Sequence, residues 1–326
     1  MQPAELRDRL SRLPSLPLVG APTLVDPLPR LSAVLGGGPR LLIKRDDAIP
    51  FAFGGNKVRK LAFVGAHARF EEADTLITAG GVQSNHARVT AATAAKLGMR
   101  AILVANGDAS SAVTANALLD RLLGAEVVYV ASRDQRASTM LEIADRVRAD
   151  GRRPYIIPIG ASIPLGALGF VLALAELVEQ IGAPDIIMHS TSSGGTQAGL
   201  VAGCRLLGLP TRVIGVSADA PAPDLQQDVR AIVRGVFELL DLDPDAFARG
   251  TSIDVDDRFV GNGYGIPTDE SREAIDLLAL TEAIFLDPTY TAKAMAALIA
   301  SVRQQRFTDK QTVLFWHTGG QVALFA

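Results

Sequence analysis

The chain reads as an α/β protein of two lobes, each an open, mostly parallel sheet flanked by helices. Short apolar runs of strand length alternate with longer Ala- and Leu-rich segments of helical periodicity. The alternation comes in two series, and a Pro/Gly-rich passage, IPIGASIPLGALG, lies between them. Parallel strands need long crossovers, which the helical segments supply. At 326 residues and 48% hydrophobic content, the chain is long and apolar enough to bury a core in each lobe.

The first clear helix begins near residue 57, where VRKLAFVGAHARF sets Val58, Leu61, Phe63, Val64 and Phe70 at helical spacing. Strands follow at TLITAG (75–80), RAILVAN (100–106), EVVYVAS (126–132) and PYIIPIG (154–160), with helices such as HARVTAATAAKLG and ANALLDRLLG between them. The second series has strands at DIIMHST (185–191), TRVIGVSAD (211–219) and TVLFWHTGG (312–320), and no internal repeat is visible.

Composition narrows the function. A net charge of -3 and scattered Lys and Arg argue against a nucleic-acid partner while leaving small anionic ligands open. The single cysteine, Cys204, excludes an internal disulfide framework, suits a reducing compartment and reads as a core residue on a helix. The N-terminus MQPAELRDRLSRLP reads as too polar for a signal peptide, and no apolar run is expected to reach about 18 residues. The expectation is therefore a cytoplasmic protein without a membrane partner. The four histidines lack metal-ligand spacing, so no metal is expected.

In folds of this kind ligands sit beyond the C-terminal ends of the strands, where loops meet helix N-termini. FGGNKVRK (53–60) places Lys57 in the opening turn of a helix, an end that is already positive. That is either a solvated lysine on a turn or a functional one. GGVQSNHARV carries Ser84, Asn85 and His86 into a helix whose free amides suit a carboxylate, although Ser84 or Asn85 also reads as a plain cap. TSSGGTQAGL (191–200) offers Ser193, Gly194, Gly195 and Thr196 as a phosphate nest, or as an ordinary Gly-rich turn. Neither the nucleoside-triphosphate loop nor the dinucleotide glycine fingerprint is present. GNGYGIP and DPTYTAKAM supply Tyr264 and Tyr290, and HTGG ends the last strand with Thr318.

One chemistry uses a lysine, a phosphate nest and a carboxylate site without a metal. Pyridoxal 5'-phosphate has an aldehyde for the lysine and a phosphate for the nest, and its amino-acid substrate carries the carboxylate. The positive helix end should lower the pKa of Lys57, and Lys60, one turn on, lies within reach of the phosphate.

In order along the chain, GGNKVRKL, GGVQSNHARVTAATAAKLG, SSGGTQAG, GYGIP, LDPTYTAKAM and HTGGQVALFA resemble the motifs of the D-cysteine desulfhydrase and 1-aminocyclopropane-1-carboxylate deaminase family. That family belongs to the tryptophan-synthase-β-like, fold type II pyridoxal-phosphate enzymes. The resemblance implies a larger cofactor-binding domain from residues 1–56 and 172–326, a smaller domain from 57–171, and an active site in the cleft between them. It implies that Lys57 is the Schiff-base lysine, that Asn85 partners the cofactor's phenolic oxygen, and that Ser84 lies on the substrate side with His86. Ser193 to Thr196 match the phosphate cradle, with Lys60 beside it, and Tyr264 and Tyr290 match active-site tyrosines. A homodimer is implied as well.

True cyclopropane-carboxylate deaminases are expected to carry Glu after the second tyrosine and Leu in place of the Thr of HTGG. Here Thr291 and Thr318 stand there. Hydroxyls tolerate a neutral pyridine nitrogen, and the weaker electron sink suits β-elimination of a good leaving group. The expected activity is conversion of a small β-substituted amino acid, D-cysteine foremost, to pyruvate, sulfide and ammonia. L-cysteate sulfo-lyase and cyclopropane-carboxylate deaminase are the alternatives within the family, and a catalytically silent binder of the cofactor is the alternative outside enzymes. Tyr290 is expected to serve as acid or base on the cofactor face opposite Lys57, with its pKa lowered by the helix end.

Overall fold

The computed structural model describes residues 1–107, 113–245 and 252–326. Ten strands form two sheets among the described residues: β1 Val25–Pro27, β2 Arg40–Arg45, β3 Thr75–Gly81, β4 Arg100–Asn106, β5 Glu126–Val130, β6 Pro154–Ile156, β7 Ile186–Thr191, β8 Arg212–Ser217, β9 Asp254–Asp256 and β10 Thr312–His317. The larger sheet runs β1-β2-β10-β7-β8-β9 and the smaller β5-β4-β3-β6. Only the β1–β2 pair is antiparallel.

Helices cover both faces of the larger sheet, so its strands are apolar on both sides. Alternate side chains divide between two cores. Leu314 and Trp316 of β10 join α7 (Pro164–Ile181), α8 (Gly195–Leu207) and α9 (Ala222–Leu239), and Phe170 meets Trp316 edge-on at 5.7 Å. Val313 and Phe315 face α10 (Asp269–Glu282) and α11 (Thr291–Arg303). In the smaller sheet, Leu76 and Leu103 pack with α3 (Asn56–Phe70) and α4 (Asn85–Leu97), while Ile77 and Val104 pack with α6 (Gln135–Ala149).

The expected apolar strands are present, and those expected at 126–132, 154–160, 211–219 and 312–320 end earlier, at Val130, Ile156, Ser217 and His317. The residues beyond β6, β8 and β10 turn into loops at the cleft. The domain boundary expected at residue 171 falls inside α7, one continuous helix packed on α8 and α9 on one side and on α3 on the other. The same helix overturns the expectation about apolar runs. It has the length and mean hydropathy, 1.5, of a membrane span, but most of it is buried in the core of this protein. Cys204 is buried on α8 as expected, and burial pushes its thiol up to about 12.

An ion cluster holds α3 in place. Arg59 donates to Asp46 at 2.8 Å and to Glu176 of α7 at 3.0 Å. Lys44 of β2 reaches Glu176 at 2.5 Å, and the Trp316 indole donates to Asp46 at 2.8 Å. All five residues are buried. Each charge meets an opposite one, the condition under which buried ions are tolerated.

Candidate active site

One pocket lies between the C-terminal edges of the two sheets, and loops from both lobes line it. Lys57 is in the first turn of α3. Its loop sits there because two glycine pairs touch. Asn56 N–H donates to the Thr318 carbonyl at 3.0 Å, and a Cβ on Gly55 would stand 2.9 Å from that same oxygen. Gly55 has φ +98°, so both space and backbone conformation call for glycine. Lys57 Nζ has a single hydrogen bond, to Asn56 Oδ1 at 3.1 Å. Burial first, with Arg88 adding to it against the pull of Asp287, lowers its pKa to about 8. Desolvation, more than the helix end, is the cause.

Lys60 is 1% exposed and points to the start of α8, where its Nζ donates to the Gly160 carbonyl at 3.1 Å and to Ser162 Oγ at 3.0 Å. Ser162 Oγ in turn meets Ser193 Oγ at 2.7 Å and accepts from Gly195 N–H at 3.2 Å. A Cβ on Gly195 would come within 2.8 Å of Lys60 Nζ and 2.7 Å of Ser162 Oγ, so only glycine leaves this cradle open. Thr196 Oγ1 accepts from Asn56 Nδ2 at 3.0 Å, which ties the cradle to the lysine loop.

Asn85 opens α4, and its orientation is set. Its Oδ1 accepts from Arg88 Nη1 at 3.1 Å and from Asn116 Nδ2 at 3.0 Å. Both partners can only donate there, so the Asn85 amide N–H groups are left for the pocket. Ser84 caps α4 by accepting from Ala87 N–H at 3.2 Å, which leaves its hydroxyl proton as a donor toward the pocket it lines. His86 is on the wall but engaged with Thr78 Oγ1 at 2.8 Å; burial, with Lys57 and Lys60 nearby, drives its pKa well below the usual imidazole range. It enters the site as a neutral ring.

The Tyr264 and Tyr290 hydroxyls are hydrogen-bonded to each other, with rings edge-on at 5.7 Å. Lys293 donates to the carbonyls of Val260 and Gly263 at 2.8 and 2.9 Å and so fastens the Tyr264 loop. Tyr290 contradicts the expectation of a lowered pKa. Burial, then Tyr264 and Asp287, raises it well above the ordinary phenol value. A helix end does not outweigh desolvation beside a carboxylate, so Tyr290 is a neutral phenol that gives a proton rather than takes one.

Thr318 is on the wall, 2.9 Å from Ser190 Oγ. Thr291, expected beside it as a cofactor contact, is not. Its hydroxyl donates to Asp287 Oδ1 at 2.7 Å, its N–H donates to the same oxygen, and it lies off the pocket lining. Asp287 takes the N–H groups of Thr289, Tyr290 and Thr291 where the chain enters α11, and the threonine is held in that turn. Ser190, Arg133 and Arg136 also line the pocket, with Asn56 beside Lys57; Ser162 lies behind the lining and reaches the cradle through Lys60, Ser193 and Gly195. Of these, Ser162 was the most accessible in the sequence, since GAS follows the PYIIP strand just where loops turn toward the cleft.

The lining holds Lys57, Lys60, Arg133 and Arg136 and not one carboxylate. It also holds Thr191 Oγ1, which is buried without a hydrogen-bond partner among the described residues. A polar, anionic ligand fits both facts. The model of the pyridoxal-phosphate dependent enzymes matches residues 16–319. The chain belongs to that family. Pyridoxal phosphate is thus the cofactor of this enzyme. It is 43% identical over 325 residues to a D-cysteine desulfhydrase of Klebsiella pneumoniae (strain 342), with 97% of each chain covered. A crystal structure of an ACC deaminase homologue superposes with a TM-score of 0.92 at 33% identity, over 100% of this chain and 97% of that one. An aspartate racemase dependent on the same cofactor shares the fold alone, at a TM-score of 0.69 and 18% identity, over 98% of this chain and 94% of that one.

Proposed function

We propose that this enzyme is a β-eliminating, deaminating lyase for small β-substituted alanines, with D-cysteine foremost, releasing pyruvate, ammonia and sulfide. The observation that carries the reading is the Ser190–Thr318 hydroxyl pair in a wall without a carboxylate. Nothing there would hold a proton on the pyridine nitrogen, and a moderate electron sink suffices to expel a good leaving group. The threonine argument therefore rests on Thr318, since Thr291 is engaged by Asp287. The full-length likeness to a D-cysteine desulfhydrase supports the same reading.

In this reading Lys57 would bond the cofactor's aldehyde, the amides opening α8 with Lys60, Ser193 and Thr196 would hold its phosphate, and Asn85 would donate to its phenolic oxygen. When bound, the cofactor supplies a sink for the electron pair left on the substrate's α-carbon. Lys57, with its lowered pKa, takes the α-proton. Tyr290, neutral and paired to Tyr264, delivers a proton on the opposite side. The Ser84 hydroxyl and the α4 amides orient the substrate carboxylate. Homodimerisation and a cytoplasmic location belong to the same reading, and sedimentation of the purified protein tests the first.

The experiment is a product assay on the loaded enzyme with D- and L-cysteine, β-chloroalanine and 1-aminocyclopropane-1-carboxylate. Equimolar pyruvate and sulfide from D-cysteine, with little 2-oxobutyrate from the cyclopropane acid, is the expected result. Comparable ring opening would place the enzyme with the deaminases. Retention of the cofactor without pyruvate from any substrate would make it a silent binder.

A further inference from the structure

Asn85 faces the pocket, but the residue that orients it stands behind it. Arg88, three residues along α4, is 1% exposed and lies off the pocket lining. One guanidinium nitrogen, Nη1, donates to Asn85 Oδ1 at 3.1 Å and to Asn116 Oδ1 at 2.8 Å. The other, Nη2, donates to the Gly54 carbonyl at 3.0 Å. Gly54 stands three residues before Lys57, in a loop that Gly55 fastens by donating its N–H to the Asp46 carbonyl at 2.8 Å. Arg88 thus joins the loop that carries Lys57 to the helix that carries Asn85.

Asn116, in the first turn of α5 (Ala115–Leu122), is 0% exposed and completes the arrangement. Its amide N–H groups go to the Gln83 carbonyl at 2.9 Å and to Asn85 Oδ1 at 3.0 Å, while its own oxygen takes Arg88. The two ends of an asparagine amide have nearly the same shape, so hydrogen bonds decide which end meets a ligand. A flipped Asn85 would set its NH2 group against two donors and turn its oxygen to the pocket, where an anionic ligand would be repelled. Lysine could not hold this arrangement, because its one nitrogen cannot sit on the asparagine oxygens and on the Gly54 carbonyl as the planar fork does. Burial lowers Arg88 to about 10 against the pull of Asp120, so it stays charged at neutral pH. A charged donor on Asn85 Oδ1 polarises the amide and strengthens its N–H groups as donors.

We propose that Arg88 is a positioning residue for the cofactor, which holds the Asn85 amide nitrogen toward the pocket and in register with the lysine loop. Asn85 is then a donor to the phenolic oxygen before the cofactor arrives, and a donor aimed in advance needs no reorganisation on binding. This rests on the reading of Asn85 given above. Without Arg88, Asn85 keeps only the Asn116 donor on its oxygen and loses its tie to Gly54.

The test is a double-mutant cycle read by calorimetric binding of 4'-deoxypyridoxine 5'-phosphate to the full-length protein freed of cofactor. This probe has the phosphate and the phenolic oxygen but no aldehyde to bond Lys57. Arg88→Gln and Asn85→Ala should each weaken its binding by about tenfold, the scale of one charge-assisted hydrogen bond. The double variant should bind no more weakly than either single one, because Arg88 acts through Asn85. Arg88→Lys, which keeps the charge but not the fork, should fall between wild type and Arg88→Gln. A loss from Arg88→Gln that persists in full on the Asn85→Ala background would overturn the proposal, since it would make Arg88 a general support of the fold. Wild-type binding in Arg88→Gln, with Asn85→Ala weakened, would overturn it too. If Asn85→Ala binds the probe as wild type does, the reading of Asn85 fails and the proposal falls with it. Should Arg88→Gln not fold, the same cycle with Arg88→Lys decides, a loss that vanishes beside Asn85→Ala supporting the proposal and one that persists contradicting it.

Discussion

The two sides of helix α3 carry the same kind of residue in opposite circumstances. Arg59 turns into the core and meets Asp46 and Glu176, which also takes Lys44. Lys57 and Lys60 turn into the pocket, where no carboxylate lines the wall. On the first side charge is balanced within the chain, and the result is a helix held firmly to β2 and α7. On the second the wall offers no carboxylate, and burial lowers Lys57 to about 8 and, with Lys57 beside it, Lys60 well below its usual value; burial lowers Lys44 as well, against the pull of Glu176. Buried cations with partners are architecture, and buried cations without them are where a ligand's charge belongs.

The comparison breaks most visibly by removing Lys57. Lys57→Ala should lower elimination by at least about 10² to 10⁴-fold, the range for losing a positioned proton carrier, while circular dichroism and melting stay near wild type. On the other side, Glu176→Gln should do the reverse. It leaves Arg59 and Lys44 short of a counter-charge and should cost about 3 to 5 kcal/mol of stability in denaturant unfolding. An activity loss from Glu176→Gln with no loss of stability would show that the two sides are not separable.

A smaller effect is expected at the tyrosine pair. Tyr290→Phe should keep the cofactor yet slow elimination by about 10²-fold. Rates of turnover and of α-deuterium exchange near wild type would reduce Tyr290 to packing. The mildest test is pH. Below about 8 Lys57 is mainly an ammonium, and above it mainly the free amine that bonds an aldehyde. The rate of cofactor loading should therefore climb with pH through a midpoint near 8 and level off above it, which stopped-flow absorbance can follow. A rise continuing past pH 10 would mean that burial does not depress this lysine.

Much of this was legible in the chain because it rests on local pattern. The apolar strands that build the sheets, the Gly-Gly turns and the Ser/Asn helix starts are readable within ten residues. β2 was missed because Lys44 and Arg45 make RLLIKR look like surface, yet Lys44 is 0% exposed against a glutamate far along the chain. Asn56 and Ser162 act through groups from distant segments, and no spacing encodes that. The expected direction of the Tyr290 shift failed for the same reason, since a helix start is visible in sequence and burial beside Asp287 is not.

The central claim is that the uncompensated side of α3 holds the cofactor and that Lys57 is its covalent partner. Borohydride reduction of the loaded protein, followed by peptide mass spectrometry, tests it most directly. The account predicts a pyridoxyl group on Lys57 alone. An adduct on Lys60, or on Lys44 or Lys293 outside the pocket, would contradict it.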